Sequence, residues 1–137
     1  MAFIRTIPPS DAEGPVREMY EQARGRVGYV PNWARAFSLR PGVLDGWVAL
    51  LKSIQSNLPV RSYELATLAA ARALRSSYCS LAHGSVLAKQ VFDPMAVTAI
   101  MTGQPDSPLD PREHAMMAFA EKVVLNAERI TGNGPLA

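Results

Sequence analysis

The only cysteine of the chain and one of its two histidines stand four residues apart, as Cys79 and His83. On a helix this spacing puts both side chains on one face, within reach of each other. A thiolate attacks peroxide oxygens and disulfide sulfurs, and a neighbouring imidazole can take or return the thiol proton. The pair therefore indicates thiol chemistry assisted by a histidine. The other interpretation is a small buried cysteine beside a core histidine.

The residues before Cys79 predict where it lies on its helix. Arg75-Ser76-Ser77 contains a good capping residue and forms a short break, and the next helix covers about 78–90. Cys79 then falls in the first turn, where unpaired backbone N–H groups and the helix dipole favour a thiolate. This position strengthens the chemical interpretation of the cysteine.

Glu64 is the only acid in the alanine- and leucine-rich segment 63–74. It shares a helical sector with Leu68 and Ala71, so we expect its carboxyl to face apolar surroundings and to act as a proton shuttle. The alternative is an acid stabilised by the dipole near a helix N-terminus. Tyr78 either orients a proton or packs.

Length and composition limit the class of protein. A chain of 137 residues with 48% apolar and 19% charged residues predicts a single folded domain covering 1–137. The net charge of +2 is small and the basic residues are scattered, so we expect no nucleic-acid partner. One cysteine excludes an internal disulfide and favours the cytoplasm, and neither a signal peptide nor a membrane span is apparent.

The sequence predicts neither a cofactor nor a metal. It contains no glycine-rich phosphate loop and no dinucleotide fingerprint. His114 follows a helix start and is expected at the surface, and two histidines with one cysteine at these spacings do not form an ordinary zinc site.

Alanine-rich segments separated by proline and glycine, with no sustained strand alternation, predict an all-α fold. After an extended arm at 3–9, the expected helices start and stop at recognisable residues, and 131–135 is expected to fray. The expected helices cover about 11–27, 33–39, 41–56, 60–74, 78–90, 94–102 and 111–129. The fourth helix is apolar on most of its circumference and is predicted to be the centre of a bundle.

Five short motifs over about 15–125 resemble the carboxymuconolactone decarboxylase and alkylhydroperoxidase (AhpD-like) superfamily. Two of the motifs resemble the superfamily core: Glu64-Leu65-x-x-Leu68, and after it Tyr78-Cys79-x-x-x-His83. The other three resemble its peroxidase-related branch: Val30-Pro31-Asn32, Arg40-Pro41 and Leu109-x-Pro111-Arg112-Glu113. The resemblance implies an AhpD-like helical bundle that forms homo-oligomers, often dimers, trimers or hexamers. It also implies further helices beyond about 129 in longer relatives, so we expect the surface that they would cover to be open.

In the redox-active members of this superfamily the motif is Glu, then Cys-x-x-Cys-x-x-x-His. By this resemblance Glu64 is the acid of a proton relay, Cys79 the second cysteine and His83 the terminal histidine. Tyr78 falls where some members place a further histidine. Ser76 falls on the first cysteine, and a serine cannot form the disulfide through which those members cycle.

The serine leaves three routes open. Cys79 reacts with a hydroperoxide and an external thiol resolves the sulfenic acid, or a cysteine of another subunit does so, or the redox function has lapsed. The resemblance predicts a thiol-dependent peroxidase with peroxiredoxin-type antioxidant activity, whose partners are a hydroperoxide and a thiol reductant. The alternatives are a cofactor-free lyase of the lactone decarboxylase kind, using His83 and Glu64, and a non-catalytic oligomeric binding protein.

Overall fold

The computed structural model describes residues 4–130, and within that range the chain forms seven α-helices and no β-strand. The predicted all-α fold is confirmed. The expected fraying of 131–135 lies outside the described residues, as does the first residue of the expected arm. None of the helices in 4–130 is long and apolar enough to cross a membrane.

The chain divides into two compact units, Met1–Ser56 and Asn57–Ala137. Each unit has its own cluster of buried apolar residues. The expectation of one domain over 1–137 stays a prediction, and the two units are described separately.

The first unit holds three helices: α1 (Gly14–Val27), α2 (Asn32–Ala36) and α3 (Pro41–Gln55). Its small core contains Tyr20, whose hydroxyl donates to the Ile7 carbonyl over 2.6 Å, and the Ile7 N–H donates to the buried Ser38 hydroxyl over 2.8 Å. These bonds attach the extended segment before α1 to the helices. Further residues of the cluster are Ala12, Ala23, Ala34, Val16, Met19 and Val30.

Two boundaries in this unit differ from the prediction. A short 3-10 turn occupies Pro9–Asp11, and α1 begins only at Gly14, whose φ of +47° breaks the continuity with that turn. Helix α2 ends at Ala36 rather than near residue 39. Ser10 and Asp11 therefore lie within the 3-10 turn, and Gly14 and Pro15 supply the helix start.

The second unit holds α4 (Val60–Ala73), α5 (Ser77–Gln90), α6 (Pro94–Thr102) and α7 (Pro111–Asn126), followed by a 3-10 turn at Ala127–Arg129. Helix α4 packs against both α5 and α7. The prediction that the fourth helix is the centre of a bundle is confirmed within this unit. The buried residues of its core are Leu65, Leu68, Ala69, Leu87, Val97, Ile100 and Met117.

Local signals set the starts of α6 and α7 and the end of α6 as the sequence predicts, whereas α7 ends at Asn126 and not near residue 129. The Asp93 carboxylate accepts from the Ala96 N–H over 2.9 Å, and Gly103 ends α6 in the left-handed conformation with φ +70°. The Asp110 carboxylate accepts from the Glu113 N–H over 2.8 Å, and the Glu113 carboxylate accepts from the Asp110 N–H over 3.0 Å. This reciprocal pair is a capping box that starts α7.

An ion pair joins α4 to α7. The Arg61 guanidinium donates twice to the Glu113 carboxylate, and it lies 4.2 Å from the centre of the Phe92 ring. The bonds from Arg61 hold the pKa of the Glu113 carboxyl below its usual range. The same pair raises the pKa of Arg61.

This ion pair predicts a pH dependence of stability. Since the pKa of Glu113 is lowered in the folded state, the pair stabilises the fold above the carboxyl's unfolded pKa of about 4.5, and this contribution is lost as the pH falls through the lower folded value. Arg61 is partly exposed, so we expect a contribution of at most about 1 kcal/mol.

Urea unfolding between about pH 6 and about pH 3 measures this contribution. The free energy of unfolding should fall less steeply with acidification in Glu113→Gln than in the wild type. Glu128→Gln, at an exposed acid, serves as the control and should follow the wild type. Parallel profiles for Glu113→Gln and wild type would contradict the assigned role of the pair.

Candidate functional site

The structure joins Glu64 of α4 to His83 of α5. The distance between the Glu64 Oε2 and the His83 Nδ1 is 2.7 Å. The Glu64 side chain is 9% exposed and that of His83 is 23% exposed. Two residues that lie 19 positions apart in the sequence thus form one hydrogen-bonded pair at the contact between the two helices.

This bond determines which nitrogen of His83 is available for chemistry. An ionised carboxylate only accepts hydrogen bonds, so the Nδ1–H of His83 donates to Glu64. The neutral imidazole then has no proton on Nε2, which is free to accept one from another group. The pair therefore presents an oriented base at the surface of α5.

Cys79 is the third position of α5, counted from its first residue Ser77. It is half-buried and forms no disulfide. It precedes His83 by four residues on the same helix, which places both on one helical face. The predicted first-turn position is confirmed.

Ser76 is the capping residue that the sequence predicts in the break Arg75-Ser76-Ser77. Its hydroxyl accepts from the Cys79 N–H over 3.4 Å and caps α5. Its own N–H donates to the Ala71 carbonyl over 2.9 Å, and the Arg75 N–H donates to the Arg72 carbonyl over 2.9 Å. The last two bonds form a Schellman motif that ends α4, so one serine closes one helix and opens the next.

Arg75 adopts the left-handed conformation that the Schellman motif requires, with φ +54°. Among the described residues it is the only non-glycine residue with a positive φ. The turn between α4 and α5 is therefore tight, and it places the face of α5 that carries Cys79 and His83 beside the α4 face that carries Glu64.

Tyr63 is a contact of His83 that the sequence interpretation missed. Its ring packs edge-on against the imidazole, with ring centres 6.5 Å apart and planes inclined at 66°. His83 is thus held by neighbouring residues of α4, through the carboxylate of Glu64 and the ring of Tyr63. The sequence feature that could have indicated this contact is an aromatic residue directly before Glu64, the only acid of segment 63–74. Tyr78, the predicted supporting residue, lies in the first turn of α5 and is 45% exposed.

Gly84 allows α5 to lie close to α6 directly after His83. A Cβ at this position would lie 2.8 Å from the Met101 sulfur and 3.7 Å from a methyl group of Val97. Leu87, one turn further on, is completely buried. Apolar packing on the side of α5 that contacts α6 therefore fixes the helix that carries the cysteine and histidine.

His114 is not part of this site. It is exposed, as predicted, and lines an open cleft of about 280 Å³ together with Arg72 and Glu121. That cleft does not include Glu64, Cys79 or His83. Within residues 4–130 no group of three histidine, cysteine or acidic residues is arranged to hold a metal ion.

The comparisons with known proteins bear on the fold. Neither the family models nor the curated proteins compared with this chain give a match. Among solved structures, the chain is similar to an uncharacterized peroxidase-related protein from Ralstonia eutropha JMP134, described as an alkylhydroperoxidase AhpD core. The TM-score is 0.76 at 21% identity, and the match covers 93% of this chain and 69% of that one. The chain therefore has the AhpD-like fold, as its sequence predicts.

The cap at Ser76 predicts a measurable effect on stability. Ser76→Ala removes the acceptor for the Cys79 N–H and should lower the free energy of unfolding by about 1 kcal/mol. Ser76→Asp keeps an acceptor and should retain most of that stability. Ser77→Ala, at the next residue, is the matched control and should change stability by less than about 0.5 kcal/mol. Equal losses in Ser76→Ala and Ser77→Ala, measured by urea unfolding, would exclude the capping role.

Proposed function

We propose that this protein is a thiol-dependent peroxidase of the AhpD-like kind, which reduces hydroperoxides through Cys79. The observation that carries the proposal is the 2.7 Å hydrogen bond between Glu64 and His83, with Cys79 one turn before His83 on the same helical face. A base with a fixed orientation beside a first-turn cysteine is the arrangement that activates a thiol. The structural neighbour, described as peroxidase-related, supports the same chemistry.

The proposed first half-reaction oxidises the cysteine. His83 Nε2 takes the thiol proton, and the thiolate sulfur attacks one oxygen of the hydroperoxide. An S–O bond forms and the O–O bond breaks, so that sulfur is oxidised and the peroxide is reduced. The departing alkoxide takes its proton from the imidazolium of His83. The products are an alcohol and the sulfenic acid of Cys79.

The second half-reaction requires an external thiol. Cys79 is the only cysteine of the chain, and Ser76 has no sulfur to offer it. An external thiol therefore attacks the sulfenic sulfur and releases water, and a second thiol breaks the resulting mixed disulfide. A small dithiol can supply both sulfurs.

The roles of the acid and the histidine differ. His83 transfers the proton, whereas Glu64 keeps the imidazole in the tautomer that leaves Nε2 free and stabilises the imidazolium. We extend the proposal to a homo-oligomer in the cytoplasm, in line with the lone cysteine and the superfamily resemblance.

Peroxide turnover with a dithiol reductant tests the proposal. Cys79→Ser should abolish turnover, because it removes the attacking sulfur. His83→Gln should lower kcat/KM by about 10²- to 10⁴-fold, and Glu64→Gln should lower it less. Ser85→Ala, on the exposed side of the same helix, is the control and should match the wild type. A Cys79→Ser variant with unchanged turnover would refute the peroxidase.

A cofactor-free lyase acting on a small lactone acid is the second candidate. The observation that favours it is that the Glu64–His83 pair is complete without any sulfur. By the resemblance, Ser76 also stands where the redox-active members have their first cysteine. Proton transfer by His83 then supports decarboxylation. If the protein is such a lyase, Cys79→Ser should retain activity on a lactone acid and His83→Ala should lose it. The peroxidase proposal predicts the opposite result for Cys79→Ser, which is a loss of turnover.

A further inference from the structure

Helix α3 carries an apolar face that its own unit leaves uncovered. Only Leu44 of this 15-residue helix is buried. Four large apolar side chains at successive spacings of four, three and four residues are 41–56% exposed. At 100° per residue they form one continuous line along the helix, here named the α3 stripe. Its members are Val43, Trp47, Leu50 and Ile54.

The charged residues of α3 lie on the opposite face. Asp45 and Lys52 are about 180° around the helix from the stripe. They line an open cleft of about 660 Å³, together with Glu18 and Arg26 of α1. Asp45 and Lys52 are exposed in this cleft, and the α3 stripe lies on the other side of the helix.

We propose that the α3 stripe is the interface on which a second copy of this chain docks, with the two α3 helices antiparallel. This inference does not depend on the catalytic proposal. It assigns to particular residues the assembly that the sequence resemblance predicts only in general terms.

The spacing of the stripe is the same in both chain directions. Val43 and Ile54 lie equally far from its midpoint, and so do Trp47 and Leu50. In an antiparallel pair related by a two-fold axis, Val43 of each copy therefore lies opposite Ile54 of the other, and Trp47 opposite Leu50. A two-fold interface requires such self-complementarity, which an unrelated partner would have to supply separately.

The charge and the apolar area of the α3 stripe are consistent with a second copy of the chain as its partner. The stripe has no charged member, so it has no counter-charge for an acidic or basic partner. The single lysine of α3 is on the wrong face for an anionic membrane surface. About half of each side chain is exposed, so the stripe offers roughly 400 Å² of apolar surface per chain, in the range of the largest patches on monomers.

Two stripes with their flanking surface bury about 1,000 Å², the lower end for a specific interface. Gly46 lies beside the stripe with open space where a Cβ would be, so two backbones can approach closely there. These features predict a concentration-dependent dimer contact rather than a permanent one.

Light scattering with size-exclusion chromatography, between about 1 μM and about 200 μM, tests the interface. The full chain should associate as its concentration rises. Leu50→Lys, which puts a charge at the centre of the stripe, should weaken association at least about tenfold. Met95→Lys, at an 83% exposed methionine outside the stripe, is the control and should associate like the wild type. A monomer at every concentration, or association unchanged by Leu50→Lys, would overturn the proposal.

Disulfide trapping tests the antiparallel arrangement and does not depend on the lysine variant folding. The chain would carry Val43→Cys and Ile54→Cys in a Cys79→Ser background. These positions are about 16 Å apart along one helix, too far for a bond within a chain. Mild oxidation should yield a covalent dimer whose linked peptides, identified by mass spectrometry, join position 43 to position 54. Links of 43 to 43 and 54 to 54, or no covalent dimer, would contradict the antiparallel pair.

Discussion

The hydrogen bond between Glu64 and His83 is the interaction on which the candidate site depends. Removing a carboxylate from water is costly, and Glu64 is nearly buried, so its position requires a partner. His83 is that partner, and the same bond fixes the orientation of its ring. The bond converts a histidine on a half-buried helix face into a base whose free nitrogen points away from Glu64. Without it Cys79 would be an isolated cysteine in an apolar helix.

The packing of α4 against α5 keeps this bond in place. Leu65, Leu68 and Leu87 are completely buried at the core of the second unit, and each contributes about 1.5–3 kcal/mol by leaving water. The turn at Arg75 and Ser76 is short and connects the two helices directly. The Ser76 hydroxyl also caps the start of α5 at Cys79, so one residue orders the end of α4 and the start of the helix that carries the site.

The sequence predicted the local features of this protein well, because they depend on neighbouring residues. Asp93 with Pro94, and Asp110 with Glu113, mark helix starts through bonds three residues long. The segment 63–74 is apolar on most of its surface, and the helix that contains it is central to its unit. Cys79 and His83 share a face because of a spacing of four.

Features that depend on tertiary packing were harder to predict. The Tyr63–His83 contact requires knowing how α4 and α5 are aligned, which no local pattern specifies. The helical sector of Glu64 predicted apolar surroundings for its carboxyl, but only the structure gives its 2.7 Å bond to His83. Gly14 displaced the start of α1, since its positive φ separates the 3-10 turn from the helix. The exposure of the α3 stripe depends on how α3 packs within its unit, which no local pattern specifies.

The most direct test of the account is a double-mutant cycle on the rate at which hydrogen peroxide oxidises Cys79, with the sulfenic acid trapped by a dione and quantified by mass spectrometry. The four proteins are the wild type, Glu64→Gln, His83→Gln and the double variant. Since Glu64 acts through His83, the account predicts that the double variant reacts no more slowly than His83→Gln alone. Independent, multiplying losses from the two substitutions, or a wild-type Cys79 that does not react, would contradict it.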